Sequence, residues 1–237
     1  MTQHTITAAT PVAHDDCSPA DRITKSLLGY GVIVGPMYVV VSLAQALTRD
    51  GFDLSRHQWS MLANGGLGWI QVANFALTGL MLVATAVGIR RALSPGRGAT
   101  WAPRLVAAFG ASLVVASAFR ADPALGFPAG TPEGPASIST SGVVHFSAAG
   151  VGFTCIAIAC FAIARRYAAD DRRGWAVYSM ATGVVFLGGF ACVASGAGSM
   201  VANLLFTAAV ILVWVWTSAV SRDLYRRVAD KSAPTVH

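Results

Sequence analysis

The sequence predicts an all-α, polytopic membrane protein: a bundle of six transmembrane helices with both termini in the cytoplasm. Composition gives the first two indications. Of the 237 residues, 54% are hydrophobic and only 12% are charged, whereas soluble domains carry about 25% charged residues. The third indication is six apolar runs, each near the roughly 20 residues that a helix needs to cross a bilayer. Because lipid offers the backbone no hydrogen-bond partners, each run is predicted to be a helix.

The six predicted helices follow one another along the chain. They are expected at about 25–47, 69–92, 102–119, 142–164, 174–195 and 200–220. The predicted organisation is therefore a polar N-terminal tail (1–24), a six-helix transmembrane domain (25–221) and a basic C-terminal tail (222–237). The N-terminal tail lacks the basic start and short apolar core of a signal peptide, so the first run is interpreted as a retained membrane helix.

Basic residues predict how the bundle is oriented. Four lie in each of three regions: the second-to-third connection, the fourth-to-fifth connection and the C-terminal tail. The opposite side has only Arg49, Arg56 and Arg120. Because Lys and Arg collect in cytoplasmic loops, the sequence predicts a multi-pass protein of the plasma membrane with cytoplasmic termini. The two long connections, 48–68 and 120–141, are then expected on the outer face.

The same composition limits which partners and cofactors are expected. The net charge of +6 is attributed to loops beside anionic lipid, so no nucleic-acid partner is predicted. The four cysteines form no CxxC pair, and neither a disulfide framework, a metal site nor a cofactor is predicted. Membrane lipids are the expected partners, together with a lipophilic small-molecule ligand or substrate. The sequence leaves the oligomeric state open.

The long connections hold the candidate catalytic residues: Asp122, Asp53, His145 and His57. A carboxylic acid near an apolar pocket can act as a general acid with a histidine as its partner. The alternative is a structural cap, in which ion pairs such as Asp53 with Arg120 or Asp122 with Arg56 lock the two connections together. Two histidines and a carboxylate would also suit a metal, but no spacing motif supports one.

Five residues are candidates for ligand binding. Arg120 and Arg56 could hold a carboxylate or phosphate. Gln71 and Asn74 share one face of the second helix and could line a polar cavity with His145, although helix packing through hydrogen bonds is the favoured explanation for both. The fifth candidate, Trp69, also suits the membrane interface.

Several motifs together resemble a bacterial membrane family, the one called domain of unknown function 998. They are Gly35-Pro36, Thr48-Arg49-Asp50-Gly51-Phe52-Asp53, His57 through Ser60, Gly68-Trp69-Ile70-Gln71, Asn74-Phe75, Gly79, Asp122-Pro123, Gly126-Phe127-Pro128, Gly130 and His145. The similarity runs over nearly all of residues 28–220. The resemblance implies a six-helix integral membrane protein and brings no activity, cofactor or catalytic residue.

Three functions are compatible with these features. The first is the binding of a lipid, isoprenoid or small amphiphile at a polar pocket on the outer face. The second is a membrane-embedded enzyme that uses a carboxylic acid, for proton-initiated cyclisation of a prenylated substrate or for lipid headgroup chemistry. The third is a small transporter, which the lack of a clear internal repeat disfavours.

Overall fold

The computed structural model describes residues 18–135, 137–195 and 199–231. These residues form six α-helices and one short 3₁₀ helix, Trp59–Ala63, between the first two. The α-helices are α1 (Pro19–Thr48), α2 (Gly68–Leu93), α3 (Trp101–Ala118), α4 (Thr140–Ala169), α5 (Arg173–Ala194) and α6 (Met200–Lys231). All six are long and apolar enough to cross a membrane. The predicted all-α, six-helix architecture is confirmed.

Two helices extend beyond their predicted limits. α1 begins at Pro19 rather than near 25, because the Ser18 side chain accepts a hydrogen bond from Asp21 N and Pro19 occupies the first turn. α6 continues to Lys231, past the predicted end near 220. Residues 1–17 and 232–237 of the predicted tails lie outside the described residues, and the domain boundaries stay a prediction.

The helices form a ring in chain order. Each packs against its neighbours in sequence, and α6 closes the ring against α1. Glycines allow two close contacts: a Cβ on Gly79 would lie 2.5 Å from the carbonyl oxygen of Gly110 on α3, and a Cβ on Gly35 would lie 2.5 Å from the hydroxyl of Ser218 on α6. Both contacts fit the role of small residues in membrane helix packing.

Polar side chains join α1 to α2 within the bundle. Gln45 Nε2 donates to Gln71 Oε1 at 2.8 Å, and Asn74 Nδ2 donates to the Ser42 hydroxyl at 3.2 Å. Gln71 and Asn74 are both buried. Hydrogen bonds between buried polar groups are the usual way to hold such side chains inside a membrane bundle.

One end of the bundle, called the basic end, carries the short connections 94–100 and 170–172. Arg227 lies 3.0 Å from both Asp170 and Asp223, so it ties α6 to the end of α4. Asp223 also receives hydrogen bonds from Arg172 and from the Tyr167 hydroxyl. These ion pairs hold α4, α5 and α6 together where they leave the apolar region.

Candidate functional site

The other end of the bundle is covered by the two long connections, whose described residues 49–67, 119–135 and 137–139 together are called the cap. They are linked directly, because Asn64 Nδ2 donates to Ala121 O at 3.0 Å. The cap is also tied to α6, since Asn203 Nδ2 donates to Leu54 O at 2.8 Å. The cap is therefore an ordered cover rather than two independent loops.

His57 lies at the centre of the cap and is buried. Its Nδ1 accepts a hydrogen bond from Asp53 N at 2.9 Å, and its Nε2 lies 3.0 Å from Leu125 O. A carbonyl oxygen only accepts, so Nε2 carries the hydrogen and the ring is neutral. Because both ring nitrogens are used within the cap, the geometry gives His57 a structural role, and its predicted catalytic role stays a prediction.

Arg49 anchors the cap from the end of α1. Its guanidinium donates to Leu62 O at 2.5 Å and to Asn64 O at 2.6 Å. It also lies over the ring of Phe127, 4.9 Å from the ring centroid, which is a cation–π contact between the two connections. Arg49 thus holds three parts of the cap with one side chain.

Asp122 belongs to the second connection of the cap and contacts Ser139, the residue just before α4. Its carboxylate accepts hydrogen bonds from the backbone and the hydroxyl of Ser139, and Ser139 in turn accepts from Gly142 N at 3.0 Å. The Ser139 hydroxyl and backbone N–H hold the pKa of Asp122 below its usual value. A carboxyl group held ionised is a poor proton donor, so this geometry supports the structural alternative for Asp122.

The two ion pairs predicted across the cap, Asp53 with Arg120 and Asp122 with Arg56, were wrong, because the structure gives both carboxylates and Arg56 other partners. Arg56 pairs with Glu133 at 2.7 Å, not with Asp122, and both side chains are largely exposed. Asp53 accepts from the backbone and hydroxyl of Ser55, each at 2.7 Å, rather than pairing with Arg120. These Ser55 hydrogen bonds, the hydroxyl first, lower the pKa of Asp53.

Beneath the cap lies a cavity of about 420 Å³ within the ring. Every helix contributes to its wall, for example through Tyr38, Phe75, Phe109, His145, Phe186 and Trp214. Ten of its 22 lining residues are aromatic, and none of those 22 is Asp, Glu, Lys or Arg. From Phe206 to Trp214 on α6 the cavity extends roughly 12 Å along the helix at about 1.5 Å per residue. Its size and apolar wall are typical of small-molecule sites.

His145 brings a polar atom to the wall of this cavity. Its Nδ1 lies 2.8 Å from Phe119 O and must donate, because a carbonyl oxygen cannot. In the neutral ring Nε2 then carries the lone pair. His145 is buried and lines the cavity, and its predicted catalytic role stays a prediction. The geometry fixes one ring nitrogen and leaves the other as an acceptor.

Trp59 forms part of the cavity wall on the cap side. The side chain is buried, and its indole Nε1 has no hydrogen-bond partner among the described residues. Buried indole N–H groups usually have an acceptor. Trp59 could not be identified from the sequence as part of this wall, because a tryptophan in a connection gives no sign of whether it turns inward.

The other predicted binding residues lie away from the cavity. Gln71 and Asn74 belong to the buried contact between α1 and α2 and do not line it. Trp69 is 63% exposed on the outside of α2, and Arg120 is exposed at the end of α3. Arg56 lines a groove at the cap surface that shares Gln58 with the cavity wall. Their roles in binding stay predictions.

A metal could be held only by a cluster of suitable side chains. In residues 18–135, 137–195 and 199–231, no three His, Cys, Asp or Glu side chains are grouped to hold one. His57 also has both ring nitrogens engaged with the backbone. The cavity and the cap above it are therefore the features on which a function can be argued.

Comparison with known proteins places the chain in one family. The family model described as Protein of unknown function (DUF998) matches residues 32–223. The match begins near the middle of α1, includes all of α2 to α5, and ends within α6. No curated protein and no solved structure matches the chain.

Proposed function

The chain belongs to the family described as Protein of unknown function (DUF998), and from the cavity we propose that this multi-pass membrane protein binds a lipophilic small molecule within its helix ring. The observation that carries the proposal is the 420 Å³ cavity walled by all six helices and rich in aromatic side chains. A lipid, isoprenoid or small amphiphile is the class of ligand that such a wall accommodates.

Access to the cavity is proposed from the membrane as well as from the cap. Phe146 lines the cavity and is also 52% exposed on α4, so the wall is thin on that side. Phe190 on α5 lines the same region. A lipophilic ligand concentrated in the bilayer could enter between these two helices without crossing the hydrogen-bonded cap.

The basic end is proposed to face the cytoplasm, and the cap to face the outside of the plasma membrane. The support is the distribution of Lys and Arg along the chain. Six successive crossings bring the start of α1 and the end of α6 to the basic end, where Arg91 Nε donates to the Thr24 hydroxyl at 2.9 Å. Both termini would then be cytoplasmic.

An enzyme is the second candidate, and one observation favours it: the Nε2 lone pair of His145 in an apolar cavity suits a general base. The carboxylic-acid chemistry finds less support. Neither Asp53 nor Asp122 lines the cavity, and serine hydrogen bonds lower the pKa of both.

Filling the cavity tests the proposal. Ala149 lines the cavity on α4, whereas Val151, two residues along the same helix, is 62% exposed on its outer surface. We expect Ala149→Phe to lose an amphiphile that copurifies with the wild type in detergent, and Val151→Phe to keep it, as measured by mass spectrometry of organic extracts. Equal extracts from both variants would contradict binding in the cavity.

A further inference from the structure

The wall of the cavity restricts the charge of its ligand. No Asp, Glu, Lys or Arg is among the lining residues that the structure describes. The nearby carboxylate of Asp122 is engaged with Ser139 in the cap. An ionised head group buried in this wall would have no counter-charge, and unpaired buried charges are strongly unfavourable. The ligand that fits is therefore uncharged.

The polar atoms of the cavity wall restrict which hydrogen bonds a ligand can make. The Ser112 hydroxyl donates to Phe109 O at 2.7 Å and so has its own partner. His145 is different, because its Nδ1–H is used by Phe119 O and its Nε2 is left to accept. The indole N–H of Trp59 is a buried donor without an acceptor among the described residues. A hydroxyl group both donates and accepts, so it can donate to an acceptor such as Nε2 or accept from a donor such as this indole N–H.

The aromatic residues favour a flat ring. The Phe153 ring is surrounded by three others at edge-on angles: Phe186 at 5.4 Å, Phe190 at 5.2 Å and Phe206 at 5.6 Å between centroids. Aromatic rings prefer such edge-on or offset contacts. A ligand ring would add to this cluster from the cavity side.

We infer that the ligand is an uncharged aromatic molecule bearing a hydroxyl group, and that Nε2 of His145 accepts the hydroxyl hydrogen. This inference rests on the proposed function, because it names the ligand class of the same cavity. His145 is on this basis a residue that determines specificity: it selects molecules with a hydrogen-bond donor over molecules of the same shape without one.

Four naphthalene probes test the inference. 1-Naphthol has a donor and an acceptor, 1-methoxynaphthalene has an acceptor only, 1-methylnaphthalene has neither, and 1-naphthoate is charged. Binding is measured by calorimetry on the protein in phosphatidylcholine nanodiscs, with empty nanodiscs as the reference for partition into lipid. We expect the wild type to bind 1-naphthol roughly two- to tenfold more tightly than the methoxy and methyl compounds, the range of one hydrogen bond.

The variant His145→Asn separates recognition from folding. An asparagine amide can still donate to Phe119 O, but the acceptor at the position of Nε2 is lost. We expect this variant to bind 1-naphthol and 1-methoxynaphthalene with similar affinity, because the advantage of 1-naphthol in the wild type is the hydrogen that Nε2 accepts. Thr154→Val is the control, since Thr154 lies on the same helix, is exposed, and satisfies its hydroxyl with Gly150 O.

The outcomes distinguish the two levels of the proposal. If the wild type binds the three neutral probes equally, or binds 1-naphthoate as tightly as 1-naphthol, the ligand class is wrong while the cavity remains a binding site. If none of the four probes binds above the empty nanodisc, both the ligand class and the proposed binding function are contradicted. These wild-type comparisons decide the matter even if His145→Asn fails to fold.

Discussion

Asp122 joins the cap to the first turn of α4 through two hydrogen bonds from Ser139. The acid is therefore placed where it stabilises a helix start, since an anion near a helix N-terminus is favourable. On the α4 side the carboxylate lies close to Gly142, where an added Cβ would collide with it.

The pH dependence of stability tests this role of Asp122. The Ser139 hydrogen bonds lower the pKa of Asp122 in the folded protein. The ionised carboxylate therefore adds to the free energy of unfolding. This contribution is fully present above the unfolded-state pKa of about 3.9 and is lost as the pH falls through the folded-state pKa. We expect Asp122→Asn to lower the unfolding free energy by about 1 kcal/mol at neutral pH. The difference from wild type should vanish in strong acid, as measured by unfolding in detergent.

Asp50→Asn provides the control for the loss of charge, because Asp50 is an exposed residue of the same cap. It should unfold like the wild type at neutral pH. The predicted catalytic role of Asp122 would gain support from a different result: unchanged stability of Asp122→Asn together with loss of turnover of a substrate. A fall in the stability of Asp122→Asn that does not depend on pH would contradict a stabilising role for the ionised Asp122 carboxylate.

At the scale of the elements, the contact between α1 and α6 depends on glycines. A Cβ on Gly35 would meet both the Ser218 hydroxyl and the carbonyl oxygen of Trp214 at 2.5 Å, and the second of these is rigid backbone. Gly29 lies on the same helix but has open space at its Cβ position. The two positions differ in packing and not in helix propensity.

We therefore expect Gly35→Ala to destabilise the bundle by about 1–3 kcal/mol, the usual cost of overpacking. Gly29→Ala should be neutral or slightly stabilising, because alanine favours a helix over glycine. Thermal unfolding of the two variants side by side checks this. Equal melting temperatures would show that α1 and α6 are not in close contact.

The cap shows which parts of an element the sequence could predict. Its location followed from the two long connections, and its charged residues were visible. Its contacts could not be predicted, because Arg56 and Glu133, or Asn64 and Ala121, are far apart in sequence and meet only after the ring has formed. Arg49 lies at a helix end, and the sequence indicates its charge but not its contacts with both connections of the cap.

At the scale of the whole molecule, the six helices could be predicted because lipid requires every apolar run of sufficient length to be helical. The cavity could not. In a membrane protein both the lipid-facing and the inward-facing sides of a helix are apolar, so hydrophobic periodicity does not reveal which side is buried. Phe146 and Phe153 are equally apolar in sequence, yet the first is half exposed and the second packs among three phenylalanine rings.

Orientation in the membrane is the prediction that belongs to this scale. In a variant without the four native cysteines, a cysteine placed at Ser137 in the cap should react with an impermeant thiol reagent added to intact cells. A reporter fused after Val228 on α6 should be active only as a cytoplasmic fusion, because the basic residues keep that end inside. Protection of the Ser137 cysteine together with an external reporter would invert the orientation.

A ring built in chain order can be assembled in the order of synthesis. Each new helix finds its main partner in the helix inserted just before it, until α6 arrives and meets α1. The last helix supplies Phe206 and Trp214 to the cavity wall, so the cavity is complete only when the C-terminal helix has docked. Truncation within α6 would thus leave a membrane-inserted protein with an open cleft in place of the cavity, which would couple the proposed ligand binding to completion of α6.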